Sequence, residues 1–253
     1  MSPLAVVLWS QLAGTALLLT VTLLSRTTPV WSGMGWGVLA GVVGAVGLIC
    51  FYSGLAAGAM SIVAPISGCG GVVPVLIAIV SGHPPDPVAL TGMALACIGI
   101  VIVSVHPETD AHPSGRPMLA IGLALGSALG FGLFYVFLHR SGAGGFSALW
   151  AVLAARAGSV TFLTLIGLAG RRDIGWPGSR MLVIGMVGVF DMTANVLWLA
   201  ATVHANLGVA GILGSLYPVT TVLLGWIVLS ERLTWLQRGG VVCALAGVAL
   251  VGQ

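Results

Sequence analysis

The chain has 253 residues, of which 58% are hydrophobic and 6% charged, with a mean hydropathy of +1.12. Soluble domains carry about a quarter of their residues as Asp, Glu, Lys or Arg, so too little polar surface exists here to enclose such an apolar core, and a soluble globular fold is excluded. The net charge of +3 rests on nine arginines and no lysine, scattered along the chain, which offers no basic patch for nucleic acid.

Nine apolar stretches fill most of the sequence: residues 4–24, 35–56, 62–80, 88–105, 118–138, 146–169, 181–201, 207–229 and 235–251. Each approaches the ~20 residues that a helix rising ~1.5 Å per residue needs to cross a ~30 Å hydrocarbon core. Runs such as 72–80 and 219–229 do not alternate as membrane barrel strands do, so the spans are helical. The first follows Met1-Ser-Pro-Leu-Ala, which has no basic n-region, and no A-x-A site comes after it, so it reads as a retained span. Glycines recur at four-residue steps, at Gly37-Gly41, Gly54-Gly58 and Gly122-Gly126-Gly130, a spacing that lets helix backbones approach closely. The third span is denser: Pro65, Gly68, Gly70, Gly71 and Pro74 predict an interrupted helix that frees carbonyls toward a cavity. Cys50, Cys69, Cys97 and Cys243 lie in four different spans, without metal or disulfide spacing, and read as small buried apolar residues. His106-Pro-Glu108-Thr-Asp110-Ala-His112 falls in a proline-bounded loop where alternate residues need not converge, so it reads as a linker and no metal is expected.

An internal repeat is visible. Residues 41–74 lie on 185–218 at a constant shift of 144, pairing Gly41 with Gly185, Gly44 with Gly188, Gly70 with Gly214 and Pro74 with Pro218. Downstream the shift becomes 148, pairing Gly92 with Gly240 and Gly99 with Gly247. Upstream it is 145, pairing Gln11 with Arg156 and Arg26 with Arg171. The expected architecture is an all-α polytopic membrane protein of nine transmembrane helices in two inverted repeats: four spans in residues 1–105, a linker over 106–117, and five spans in 118–253. The unmatched span is the fifth, whose partner belongs before residue 1. A unit with an odd number of spans re-enters the membrane inverted when it is repeated, an organisation found in carriers.

The segment Leu216-Tyr217-Pro218, an apolar run, Ser230-Glu231-Arg232-Leu233-Thr234, Gln237, Gly239-Gly240 and a last apolar span resemble the carboxyl end of the EamA-type repeat of the drug/metabolite transporter superfamily. The resemblance covers essentially the whole chain and implies ten helices in two inverted five-helix repeats, here without the first helix. It implies a secondary carrier that moves small metabolites by alternating access, often outward. In the first repeat Gly82-His83-Pro84 stands where the second has Ser230-Glu231-Arg232, so the acidic residue is missing there. No G-x-x-x-x-G-K-[ST] loop is present to hydrolyse nucleotide, and no cofactor is implied.

Charges at membrane depth are the best site candidates, since one at a helix centre costs ~2.5–3.5 kcal/mol on insertion scales. Asp191 lies midway along the seventh span with Asn195 at i+4 and Trp198 at i+7 on the same face, and Arg156 lies midway along the sixth. Two readings compete: a buried ion pair fixing helix register, or a site in which Asp191 binds a coupling proton or a substrate amine while Arg156 offers a fork to a carboxylate or phosphate. Gln11, the counterpart of Arg156, and the aromatic Tyr52, Tyr217 and Trp9 are further contact candidates; interfacial anchoring is the plainer role for the aromatics. Glu231, at a span end, and His204 are second choices for coupling.

A carrier for an amino acid-like or other small amphipathic metabolite, in the cytoplasmic membrane, is therefore expected. The rivals are a membrane-embedded enzyme, disfavoured because no nucleophile, carboxylate pair or metal-ligand set converges, and a non-transporting subunit. The bilayer and a small molecule are the expected partners, with proton coupling expected and association with a second copy left open. The resemblance would put the start of a chain lacking one helix outside the cell. Against that, Arg116, Arg171, Arg172, Arg180, Arg232 and Arg238 flank one membrane face and only Arg26 and Arg140 the other, which places Met1 inside and Gln253 outside. A reporter active only in the cytoplasm, fused after Gln253, should be silent, and activity would reverse the assignment.

Overall fold

The computed structural model describes residues 3–29, 31–56, 60–104, 117–142, 148–170, 175–202, 207–228 and 234–251. The helices are α1 (Pro3–Leu24), α2 (Met34–Ala56), α3 (Met60–Gly68), α4 (Val72–Val80), α5 (Pro87–Ser104), α6 (Pro117–Gly142), α7 (Ala148–Ala169), α8 (Met181–Ala201), α9 (Leu207–Gly214), α10 (Tyr217–Val228) and α11 (Trp235–Val251). Six helical segments are long and apolar enough to cross a membrane, and three shorter apolar ones lie over α5, α9–α10 and α11. The protein is all-helical among the described residues and is a polytopic membrane protein.

Local chemistry sets the helix ends. Three helices open on proline, which has no N–H to leave unpaired and a φ already suited to a first turn. α4 closes in a Schellman motif: Gly82 adopts φ 77°, its N–H donates to Ile79 O at 3.1 Å, and the His83 N–H donates to Ala78 O at 3.0 Å. The interruption in the third span is a single tight turn over Cys69–Gly71. It presents fewer carbonyls than the glycine and proline density suggested, because Cys69 O and Gly70 O both accept from the Val72 N–H. The eighth span breaks too, between α9 and α10. The Pro218 ring would meet the carbonyl of the residue four before it, Gly214, where α9 stops, just as Pro74 follows the turn at Gly70.

The described chain forms two compact units, Met1–Ala45 with Phe134–His204, and Val46–Leu133 with Ala205–Gln253. In the first, α7 is the central helix and buries Ala151, Val152, Ala154, Ala155, Arg156, Gly158 and Ser159. Its small residues bring backbones together. A side chain on Gly41 would strike Ala155 O and the Ser159 amide, one on Gly158 would strike Val38 O, and one on Gly188 of α8 would strike Ser10 O and the Gly14 amide of α1. At one end Trp150 donates to Thr27 O at 3.0 Å and the Arg140 guanidinium lies 5.1 Å from the Trp36 ring, so the α1–α2 and α6–α7 ends share a face, as alternate loops must.

These contacts carry a register. Gly188 sits between Ser10 and Gly14, and Gly41 between Ala155 and Ser159, so α1 and α7 correspond at the sequence-read shift of 145. Gly188 and Gly41, however, differ by 147, one helical turn from the alignment that pairs Gly188 with Gly44. On the shift of 145 Gln11 pairs with Arg156, and on the shift of 147 Gly44 would pair with Asp191. In the second unit α5 and α11 run antiparallel. Gly99 meets Gly240 O and the Ala244 backbone, while Gly247 meets Gly92 O and the Ala96 backbone, each pair reproduced at the shift of 148 (247 − 99 and 240 − 92).

The glycine row of α6 divides. A side chain on Gly126 would press on the Cys50 sulfur, whereas one on Gly122 would meet nothing within 4 Å. Gly41→Val and Gly188→Val should each cost about 1–3 kcal/mol by overpacking against backbone that cannot yield, lowering the thermal midpoint in detergent followed by size-exclusion chromatography. Gly122→Val should behave as the parent protein, and equal losses at all three would refute this packing account.

Candidate functional site

α7 and α8 carry the charges. Burial of α7 leaves Arg156 6% exposed, and its Nη2 reaches Asp191 Oδ2 on α8 at 3.0 Å. The Asp191 side chain is 50% exposed. Its other oxygen accepts from Asn195 Nδ2 at 3.2 Å, and the same Nδ2 donates to the Asp191 carbonyl at 2.7 Å. The i, i+4 spacing on α8 thus becomes a real contact. Arg156 Nε is buried and makes no hydrogen bond.

A second polar contact lies one turn along α7. The Ser159 hydroxyl donates to Gln11 Oε1 of α1, both side chains buried, and also approaches Arg156 O at 3.3 Å. Trp198, the third member of the α8 face, packs against Tyr135 of α6 with ring centroids 4.5 Å apart and planes tilted by 38°. The Tyr135 phenol lies within electrostatic range of the Asp191 carboxylate.

Five of the residues singled out in the sequence, Gln11, Arg156, Asp191, Asn195 and Trp198, therefore fall in one unit on α1, α7 and α8. Tyr52 and Tyr217 belong to the other unit, where Tyr52 packs edge-on against Phe51. Glu231, His204 and the 106–112 loop lie outside the described residues. Trp9 donates to Gly175 O at 3.2 Å and stacks edge-on with the exposed Trp176, as an anchor would. His83 bonds Ser81 O in an exposed turn.

Two members were missed. Tyr135 carries a hydroxyl into an apolar span, and a tyrosine there needs a polar neighbour, which was the available signal. Ser159 stands three residues from Arg156 on the same helix face.

The profile of the EamA-like transporter family matches residues 118–253, more than half of the sequence. The chain belongs to the EamA-like transporter family. Over 95 residues it is 35% identical to a probable terminal-alkyne amino-acid exporter of Streptantibioticus cattleyicolor, covering 37% of this chain and 32% of that protein. The match thus spans about a third of that relative's length. A protein known from its crystal structure aligns over 100% of this chain and 89% of its own with a TM-score of 0.82, and at 15% identity that shares the fold alone. This EamA-like chain is a polytopic membrane protein.

The pair is lopsided, and its mutants should be too. Asp191→Asn leaves a buried guanidinium without a counter-charge, whereas Arg156→Gln leaves a half-exposed carboxylate that still has Asn195 and water. Asp191→Asn should cost about 2–3 kcal/mol, below the range for a fully buried pair because water screens one side. Arg156→Gln should cost less, and the double variant should recover most of the loss. Thermal unfolding in detergent measures all three, and a reversed order would remove the lopsided pair.

Proposed function

We propose that this chain is a secondary carrier that exports a small polar or amphipathic metabolite across the cytoplasmic membrane, driven by protons entering through Asp191. Family membership and the exporter relative support the direction. A single observation carries the site: a charge pair midway along two spans, closed on its arginine side and open on its carboxylate side. An open carboxylate at that depth cannot face hydrocarbon, so water or a solute must reach it, as a carrier's binding site requires.

The proposal extends to two inverted repeats, residues 1–105 and 118–253, alternating access by rocking about this layer. The reciprocal contacts of α5 and α11 at a shift of 148, and the matched seats of Gly41 and Gly188, support that relationship. Polar chemistry is uneven in it: the place of Arg156 is taken by the neutral Gln11 and that of Asp191 by Gly44.

The test is flux in proteoliposomes with a panel of neutral amino acids that includes a terminal-alkyne one. The parent protein should accumulate substrate against its gradient when a pH difference is imposed. Asp191→Asn with Arg156→Gln, folded but neutral, should lose at least tenfold of the driven flux, because an amide cannot exchange a proton near neutrality. Undiminished proton-driven accumulation by that variant would eliminate the coupling role, and absence of any flux by the parent protein would eliminate these substrates.

A further inference from the structure

We propose that the ligand-facing group of this site is the Asp191 carboxylate and that it takes a primary ammonium on an apolar or π-rich body, seated against Trp198 and Tyr135. This rests on reading the Arg156–Asp191 layer as the transport site, and it narrows that reading to one chemistry.

The charge that a solute meets first is the carboxylate of Asp191. Arg156 is 6% exposed, its Nη2 already engaged by Asp191 Oδ2 and its Nε buried without solvent access. Asp191 is half exposed on the open side. The pair is therefore a dipole with its positive end sealed inside and its negative end outward. An approaching carboxylate meets like charge, while an approaching cation meets the attractive end of the pair.

Hydrogen-bond inventory points the same way. Asn195 spends its amide nitrogen on Asp191 Oδ1 and on the Asp191 carbonyl, which leaves its Oδ1 as an acceptor. The open face of α8 thus offers the oxygens of Asp191 and Asn195 and presents no donor of theirs. A primary ammonium, with three N–H groups and no acceptor, is the complementary partner. A carboxylate has no donor to give them.

The rest of the ligand is constrained by Trp198, three residues beyond Asn195, and by the Tyr135 ring 4.5 Å from it. Both are partly exposed. Two tilted rings on the same face supply flat apolar area for a hydrocarbon or π-bonded side chain, and their faces favour a nearby cation. A carboxylate on the ligand is then tolerated rather than required.

Calorimetric titration of the full chain in detergent, with the heat of empty micelles subtracted, tests this with three probes: phenethylamine, 3-phenylpropionate and phenylalanine. Phenethylamine and phenylalanine should bind within a few-fold of each other and 3-phenylpropionate at least tenfold more weakly. The charge-neutral double variant, Asp191→Asn with Arg156→Gln, should lose amine binding while keeping the parent elution profile. Trp198→Leu should weaken phenethylamine more than butylamine. Tighter binding of 3-phenylpropionate, lost on Arg156→Gln, would overturn the inference and make Arg156 the receptor while leaving the carrier reading intact. Failure of all three probes would also overturn it. Amine binding without flux in proteoliposomes would instead remove the carrier reading and leave this assignment standing.

Discussion

Hydrocarbon offers no hydrogen bonds, and the rest of this molecule follows from that. Backbone N–H and C=O groups must be paired within the chain, which selects helices, and several hydroxyls inside the spans bond back to a carbonyl of their own helix. Thr15 donates to Gln11 O at 2.6 Å, Thr22 to Leu18 O at 2.7 Å and Thr193 to Val189 O at 2.9 Å, each one turn back. Against that background a charge is conspicuous. Arg156 and Asp191 cannot be hidden by local bonding, so their presence fixes where α7 and α8 meet.

The same solvent removes the usual reason for helices to associate. Apolar side chains gain little by leaving lipid for each other, so close packing and backbone proximity must hold the bundle. That is why Gly41, Gly158 and Gly188 sit against carbonyls, and why α7 is built from alanine, glycine and serine where it is most enclosed. The polar layer depends on this closeness: Gln11 reaches Ser159 because α1 and α7 approach without bulky residues between them.

The spans were legible because a twenty-residue apolar run has few other meanings, and the charge pair because charge is so scarce. The break in the third span was legible from its cluster of glycine and proline. The break in the eighth was not, since a lone Pro218 after Gly214 resembles the many tolerated prolines of membrane helices. The repeat register is ambiguous by one turn in α2 and α8 for a definite reason: Gly41, Gly44, Gly185 and Gly188 are spaced three apart within each helix, so alignments one turn apart score alike, and the contacts of Gly41 and Gly188 favour the shift of 147. Tyr135 was hidden because its significance lies in Trp198 and Asp191, more than fifty residues away on another helix.

The unevenness of the polar layer has a consequence for stoichiometry. Where α7 carries arginine, α1 carries the neutral Gln11, and on the proposed repeat the counterpart of Asp191 is Gly44, where an added side chain would strike the Phe134 ring. Among the described residues the layer thus has one carboxylate, not two. On the proposed reading that group holds either a proton or an ammonium, and occupancy by one expels the other. For a simple amine, whose only charge is that ammonium, trading it for a proton across the bilayer moves no net charge, whereas a zwitterionic amino acid carries none, so its exchange for a proton moves one charge and responds to the membrane voltage. The pH difference alone would then drive an amine outward, while an amino acid would also be driven by the voltage.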